Sequence, residues 1–156
     1  MKIRDIMIRE VITVDSDYTI KHAVNIMNRG EIGCVVVLEN GRVAGIMTER
    51  DILKRVVAVS KDPEKTFVKE VMSMPIFVVN PEVTLEDAVM LMFKHKIKKL
   101  PFLENRDGND ELVGLVTLTD IARVQSNLIE QLMEHFKMTG EAPPKSMEKV
   151  MNYYIV

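Results

Sequence analysis

The chain has 156 residues, of which 47% are hydrophobic, and this is enough apolar surface for one ordinary domain or two small intertwined halves. It has no Trp, five Phe, three Tyr and a net charge of −2, so neither aromatic stacking nor a basic field favours nucleic acid as a partner. No apolar run reaches the roughly 18 residues that a membrane-spanning helix needs. The charged residues near Met1 do not resemble a signal peptide, and we therefore expect a cytoplasmic protein.

The residue types that usually build metal centres and nucleophilic sites are sparse. Cys34 is the only cysteine, which excludes an intrachain disulfide and a cysteine-based zinc site. It lies in an apolar run, where we expect it to be a small buried residue. His22, His95 and His135 form no i,i+4 pair and no cluster with carboxylates, so no metal centre is predicted. The sequence also lacks a Gly-x-Ser-x-Gly motif, a Walker loop and a Cys–His arrangement, and we expect no enzymatic activity.

In the first part of the chain the hydrophobic period changes from two to 3.6 and back. The pattern predicts a strand at residues 11–14, a helix that ends at Gly30, strands at residues 34–38 and 42–47, and a helix at about residues 49–59. Asn40-Gly41 joins the second and third strands, and this dipeptide is a strong hairpin signal. The predicted order is β-α-β-β-α.

The second part repeats this order after a helix-breaking segment at Lys61–Glu64. The predicted elements are a strand at residues 76–79, a helix capped by Thr84, strands at residues 100–103 and 112–118 around a longer hairpin loop with Asp107-Gly108, and a helix from Thr119. Helical spacing continues through residues 128–136 to Gly140, and Ala142-Pro143-Pro144 then stops it. A last segment at residues 147–156 is apolar on one side, so we expect the tail to pack on the body or on a partner chain.

The two halves are copies of one another. Arg4–Met7 is matched 65 positions later by Lys69–Met72, and Leu38-Glu39-Asn40 returns unchanged at the same offset. Beyond this point the offset becomes 69. The sequence therefore predicts an α/β (α+β) fold made of two packed repeats of about 60 residues, at residues 1–60 and 66–124, with a linker at 61–65 and a C-terminal helical extension at 125–156.

The sharpest repeated motif stands where the third strand of each copy meets the following helix. Gly45, Thr48 and Asp51 in the first copy correspond to Gly114, Thr117 and Asp120 in the second. The glycine allows close approach of backbone, and a hydroxyl and a carboxylate follow three residues apart at a helix start. Such a pair could hold a diol, or it could cap the helix as a capping box. The spacing alone leaves both interpretations open.

Two β-α-β-β-α units with Gly-x-x-Thr-x-x-Asp at the same junction resemble the cystathionine-β-synthase (CBS) domain family, whose paired repeats form a Bateman module. The resemblance covers residues 2–124. It implies a pair of repeats with pseudo-twofold symmetry and two clefts, which bind AMP, ADP, ATP, S-adenosylmethionine or NAD, and it implies a homodimer. It also implies that Asp51 and Asp120 accept hydrogen bonds from ribose hydroxyls, assisted by Thr48 and Thr117.

The resemblance further implies that each site is shared between the copies. Thr117 and Asp120 would face Val11, Ile12, Ile32 and Gly33, while Thr48 and Asp51 would face Ile76, Phe77, Ile97 and Lys98. Backbone groups at the apolar positions would read the adenine edge, although ordinary core packing also explains Ile12 and Phe77. In relatives, basic residues at the positions of Lys98 and Lys99 reach phosphates, whereas a solvated helix end would also favour lysines. The two clefts are therefore expected to bind with unequal affinity.

These observations predict a non-enzymatic sensor without a catalytic cofactor or a metal. It would bind an adenosine-containing regulatory ligand and signal to an unknown effector protein. The alternatives are a structural or dimerisation scaffold with vestigial sites, an enzyme that acts on nucleotides, and a DNA-binding protein. The last two lack, respectively, a catalytic constellation and a basic surface.

Overall fold

The computed structural model describes residues 1–74, 76–140 and 154–155. The chain divides into two compact units, and each combines α-helices with a small β-sheet. The first, which we call the N-repeat unit, comprises Val11–Ile76. The second, the C-repeat unit, joins Met1–Glu10 to residues 77–140 of the described chain. The last segment predicted at residues 147–156 lies outside the described residues, apart from a two-residue strand, β7, at Tyr154–Ile155.

The N-repeat unit follows the predicted β-α-β-β-α order. Its elements are β1 (Thr13–Asp15), α1 (Ile20–Gly30), β2 (Cys34–Glu39), β3 (Arg42–Thr48), α2 (Glu49–Ile52), a π-helix (Leu53–Val57) and α3 (Val68–Val71). The Thr19 hydroxyl caps α1 by accepting a 3.2 Å hydrogen bond from the backbone N–H of His22. Such a cap satisfies one of the free N–H groups of the first helical turn.

The sheet of this unit has the order β1-β2-β3, with β1 parallel and β3 antiparallel to the central strand. Asn40 and Gly41 have φ values of 51° and 75°, which fit the two-residue hairpin turn that the sequence predicts. The buried faces of the sheet and of α1 share one core with Val68 and Val71. Segment 66–72 therefore belongs to the N-repeat unit, although in sequence it begins the second copy.

The helix predicted at about residues 49–59 is different in the structure. Its first turn, α2, is α-helical, and the chain then widens into a π-helix from Leu53 to Val57. Val56 is buried, whereas Leu53 and Val57 are 60% and 63% exposed. Hydrophobic spacing cannot distinguish hydrogen bonds to residue i−4 from bonds to residue i−5, because both place the same residues close to one face.

The C-repeat unit repeats the same order, and its second and third strands are longer than those of the N-repeat unit. Its elements are a short 3-10 helix (Ile3–Asp5), β4 (Phe77–Val78), α4 (Leu85–His95), β5 (Lys99–Arg106), β6 (Asn109–Thr117), α5 (Leu118–Val124) and α6 (Ser126–Thr139). The Thr84 hydroxyl caps α4, as predicted. The core lies under β5 and α4, where Phe102, Leu85 and Leu91 are at most 1% exposed.

The long hairpin loop expected around Asp107-Gly108 is a tight turn in the structure. Residues Asp107 and Gly108 have φ values of 52° and 84°, and the strand pairing continues to Arg106 and Asn109. The extra residues of the second copy therefore lengthen the two strands instead of the loop. An Asp-Gly dipeptide explains this outcome because it accepts positive φ at both turn positions.

The repeat boundaries predicted from the sequence are not the boundaries of the compact units. Ile3 is fully buried in the core of the C-repeat unit, and its N–H donates a 2.9 Å hydrogen bond to the Val83 carbonyl. Lys2 and Arg4 form ion pairs with Glu82. The start of the chain thus completes the unit that contains the second copy.

The helical pattern expected to run on from the last repeat is divided into two helices. Gln125, with φ −143° and ψ 72°, ends α5, and α6 follows immediately. Leu128 is buried in the C-repeat core, with Ile129 and Leu132 packed against it, so the described part of the extension packs on the body. Gly140 has a φ of 58°, consistent with the predicted stop. Each helix in the described part of the chain is too short or too polar to span a membrane.

Candidate functional site

The first Thr–Asp pair lies at the junction of β3 and α2, and it forms a reciprocal capping box. The Thr48 hydroxyl oxygen accepts a 3.3 Å hydrogen bond from the Asp51 N–H, and Oδ2 of Asp51 accepts a 2.9 Å bond from the Thr48 N–H. The Thr48 hydroxyl also donates to Oδ2 at 3.1 Å. Capping therefore occupies only one oxygen of the carboxylate.

The other oxygen of Asp51 is also engaged. The Ser73 hydroxyl donates a 2.7 Å hydrogen bond to Oδ1, and Nη1 of Arg55 lies 3.6 Å from the same atom. Nη1 of Arg55 is itself held by the carbonyl oxygens of Val71 and Met72 at 2.6 and 2.9 Å. The side chain of Asp51 is only 12% exposed. We call this group of Asp51, Ser73 and Arg55 the Asp51 latch.

The second pair, at the junction of β6 and α5, has the same capping geometry. Oδ2 of Asp120 accepts hydrogen bonds from the Thr117 N–H at 2.9 Å and from the Thr117 hydroxyl at 2.7 Å. The Asp120 N–H donates to the hydroxyl oxygen at 3.2 Å. Both capping boxes considered in the sequence are thus present, and they use equivalent atoms.

The second carboxylate differs from the first at Oδ1. Among the described residues, no hydrogen bond reaches Oδ1 of Asp120, and its nearest cation is Nη1 of Arg123 at 4.0 Å. The Arg123 side chain is 77% exposed and that of Asp120 is 20% exposed. The repeat alignment places Ile8 at the position of Ser73 and Val124 at the position of Arg55. The second copy therefore has no latch.

The motif glycines are explained by the segments that cross them. A Cβ on Gly45 would lie 2.9 Å from the Ser73 carbonyl oxygen, and a Cβ on Gly114 would lie 2.8 Å from Cγ of Met7. These crossings are equivalent, because Ser73 pairs with Ile46 and Ile8 pairs with Leu115 through the same two backbone hydrogen bonds. The predicted close approach is thus made by another segment of the same unit.

The apolar candidates of the N-repeat unit are half-buried and lie at the start of β1 and β2. They are Val11, Ile12, Ile32 and Gly33. The Ile32 N–H donates to the Met27 carbonyl, and the Gly33 carbonyl accepts from the Glu49 N–H. The Ile12 carbonyl accepts a long 3.4 Å bond from the Val36 N–H. The Ile32 N–H is therefore already committed to the end of α1.

The corresponding candidates of the second copy show the same pattern. The Ile97 N–H donates to the Met92 carbonyl, and the Lys98 carbonyl accepts from the Leu118 N–H at 2.8 Å. The Phe77 ring is half-buried and stacks on His95, with the ring centroids 3.9 Å apart. Ile76, which the chain division assigns to the N-repeat unit, is 5% exposed.

The two lysines lie beside the second Thr–Asp pair. Lys99 is directly opposite Thr117 in the antiparallel pairing of β5 and β6, and residues in such a pair share one face of the sheet. Cys34, which is buried, has this position opposite Thr48 in the first copy. Lys98 is exposed, Lys99 is half-buried, and neither forms an ion pair among the described residues. A cation therefore accompanies the motif whose carboxylate has an open oxygen.

The sequence interpretation missed Ser73 and Arg55. Arg55 follows Asp51 by four residues, so helical spacing signals that the two side chains can meet. Ser73 gives a weaker signal, namely a polar residue where the other copy has Ile8.

Within the described residues, no three His, Cys, Asp or Glu side chains are grouped so that they could hold a metal ion.

Both repeats match a known protein family. The model of the CBS domain matches residues 3–58 and again residues 68–127. The CBS domain-containing protein YhcV of Bacillus subtilis is 38% identical over 120 residues, which cover 77% of this chain and 82% of YhcV.

Two further proteins show where such repeats occur. Inosine-5'-monophosphate dehydrogenase of Methanocaldococcus jannaschii is 32% identical over 123 residues, which cover 78% of this chain but 23% of that enzyme. The structure of the hexameric CBS-CP12 protein from bloom-forming cyanobacteria aligns with a TM-score of 0.71 at 29% identity, covering 83% of this chain and 74% of that one. The family model matches both halves of the chain, and the fold agrees with this match. This chain therefore belongs to the CBS domain family and contains a tandem pair of CBS repeats, which are regulatory modules.

Proposed function

We propose that this protein is a non-enzymatic sensor that binds an adenosine-containing ligand through the ribose hydroxyls. AMP, ADP and ATP are the first candidates, and S-adenosylmethionine and NAD are the next. The observation that carries the proposal is that each capping box uses Oδ2 of its aspartate and none of the cap bonds involves Oδ1. Capping and diol binding are therefore compatible, because a carboxylate oxygen can accept two hydrogen bonds.

The phosphate side of such a ligand would be met by lysine. Lys98 and Lys99 form no ion pair among the described residues, and an ammonium group binds phosphate as a point charge. The apolar positions Val11, Ile12, Ile32 and Gly33 would meet the base of a ligand at one motif, and Ile76, Phe77 and Ile97 would meet the base of a ligand at the other. The N–H groups of Ile32 and Ile97 already donate hydrogen bonds within the protein, so other backbone groups at these positions would bond to the edge of the base.

The ligand would act by stabilising one arrangement of the protein, and it can shift that balance only by its differential affinity for two states. The output would pass to an effector protein in the cytoplasm. We propose that the protein works as a homo-oligomer, in its simplest form a dimer. The exposed Leu53 and Val57 support this, since they lie one helical turn apart, and the CBS-CP12 protein is described as hexameric.

Thermal-shift measurements with AMP, ADP, ATP, S-adenosylmethionine and NAD test the proposal. A ligand that binds only the native state stabilises it by about 2.7 kcal/mol at 100 times its dissociation constant. We expect a rise in melting temperature that grows with the logarithm of ligand concentration. The matched control is 2',3'-dideoxyadenosine monophosphate, which lacks both hydroxyls and should give a much smaller rise. Flat curves for all five ligands would refute the sensor and favour the scaffold.

A further inference from the structure

We propose that the two Thr–Asp motifs have different tasks: Asp51 is latched to its own unit, and Asp120 is the residue that accepts the ligand diol. This assignment rests on the proposed function, and it adds which copy of the motif is used and which residues decide it. Ser73 and Arg55 are the positioning residues that distinguish the copies.

The Asp51 carboxylate has few lone pairs left to accept further hydrogen bonds. Its Oδ2 already accepts two hydrogen bonds from Thr48, and its Oδ1 accepts the Ser73 hydroxyl at 2.7 Å. One acceptor position remains, and Arg55 lies beside it at 3.6 Å. A vicinal diol offers two hydroxyl donors, so it cannot place both on Asp51 unless Ser73 leaves.

Asp120 has the capacity that Asp51 lacks. Its Oδ2 is used by Thr117 in the same way, but no hydrogen bond from the described residues reaches its Oδ1. Both acceptor positions of that oxygen are available, and a charged acceptor makes such hydrogen bonds about twice as strong as neutral ones. The Arg123 side chain is 77% exposed and 4.0 Å from Oδ1, so it does not block this oxygen.

The backbone around the two motifs is equivalent, so the difference lies in side chains. Ser73 exchanges hydrogen bonds of 2.8 and 3.2 Å with Ile46, and Ile8 exchanges bonds of 2.8 and 3.0 Å with Leu115. Ile8 thus stands where Ser73 stands, without a hydroxyl. Replacing Ile8 by serine should therefore create a latch on Asp120.

Within each unit, the charge beside the motif favours Asp120, whereas the family resemblance places Lys98 opposite Asp51. Lys99 is the cross-strand neighbour of Thr117, whereas buried Cys34 is the neighbour of Thr48. A ligand that carries both a vicinal diol and an anionic group, such as a nucleoside phosphate, finds both partners beside Asp120. In its own unit, the Asp51 motif has no cation at the corresponding position.

Isothermal titration of the full chain with AMP tests this assignment, with adenosine as the comparison ligand. We expect one AMP site per chain. Asp120→Asn should weaken AMP binding at least tenfold, and Asp51→Asn should weaken it less. Ile8→Ser should weaken it about fivefold by engaging Oδ1 of Asp120, which is the size expected for one competing hydrogen bond. Ile8→Ala is the matched control, because it removes the same apolar bulk without adding a hydroxyl, and it should stay within twofold of the wild type.

The outcomes separate this inference from the proposed function. If AMP binds and Asp51→Asn abolishes binding while Asp120→Asn does not, or if two equal sites titrate, the assignment is wrong and the sensor remains. If Ile8→Ser and Ile8→Ala bind AMP equally, the latch does not exclude a diol and the assignment is also wrong. If no adenosyl ligand binds the wild type, the proposed function fails and the assignment fails with it.

A second measurement needs no ligand. Ser73→Ala should lower the urea midpoint of the wild-type chain, and it should have much less effect in an Asp51→Ala background, because its partner is then missing. Equal effects in both backgrounds would show that Ser73 and Asp51 are not coupled, and the latch would be refuted whatever the binding data show.

Discussion

The backbone N–H of Ile3 donates a 2.9 Å hydrogen bond to the carbonyl oxygen of Val83, so the first residues of the chain are held by the second copy of the repeat. The neighbouring N–H of Arg4 donates to the Pro81 carbonyl, and Ile3 itself is fully buried. In the same way, Val68 and Val71, which begin the second copy in sequence, are fully buried in the core of the first. Each compact unit thus takes its leading segment from the other copy.

Ile3→Ala should therefore destabilise the C-repeat unit. Truncating a fully buried isoleucine costs about 2–5 kcal/mol of unfolding free energy. Urea denaturation measures this loss, and Ile8→Ala is the control, because Ile8 lies in the same segment but is 46% exposed. Equal losses for the two variants would contradict the placement of Ile3 in the core.

Gly45→Ala should be more destabilising than Gly114→Ala. The new methyl group on residue 45 would meet the backbone oxygen of Ser73 at 2.9 Å, and backbone cannot easily move. On residue 114 its nearest neighbours would be Sδ and Cγ of Met7, which belong to a flexible side chain that can repack. Overpacking costs about 1–3 kcal/mol, and we expect Gly45→Ala in that range, measured by denaturant unfolding. Similar costs at the two positions would show that the Ser73 crossing is not the constraint.

Thr48→Ala and Thr117→Ala should each weaken the cap of the following helix. The loss of a threonine cap typically costs about 0.5–2 kcal/mol, because one backbone N–H then loses its acceptor. The corresponding serine variants keep the hydroxyl and should retain most of the stability. Circular-dichroism unfolding of the wild type, the two alanine variants and the two serine variants compares all five proteins on one scale. A serine variant that is as unstable as the alanine variant would contradict the capping role.

His95 should make the protein less stable in mild acid. Burial of the imidazole, together with the charge of Lys94, lowers the pKa of His95 below the ordinary value of 6.5. The unfolded chain therefore takes up a proton at a higher pH than the folded chain. The contribution of neutral His95 to the stability of the folded protein is present above about pH 6.5 and is lost as the pH falls through the folded pKa. Urea midpoints between pH 8 and pH 5 should fall less steeply for His95→Gln than for the wild type. Identical slopes would refute a contribution of His95.

Short-range features were predictable because they depend on residues close in sequence. The Thr48–Asp51 and Thr117–Asp120 capping boxes follow from a spacing of three residues, and the hairpin turn at Asn40-Gly41 follows from the tolerance of these residues for positive φ. The longer strands of the second hairpin were missed, because Asp107-Gly108 was read as part of a loop and not as a complete turn.

The sequence by itself determined the duplicated β-α-β-β-α order, the family and the two motifs, since periodicity and capping act over a few residues. Only the tertiary structure decided which leading segment completes which unit and which aspartate is latched. Ser73 and Asp51 are 22 residues apart, and their hydrogen bond exists because segment 71–74 crosses β3 at Gly45. Such a contact depends on the packing of distant segments. For that reason, two nearly identical motifs can differ in whether Oδ1 of the aspartate already accepts a hydrogen bond.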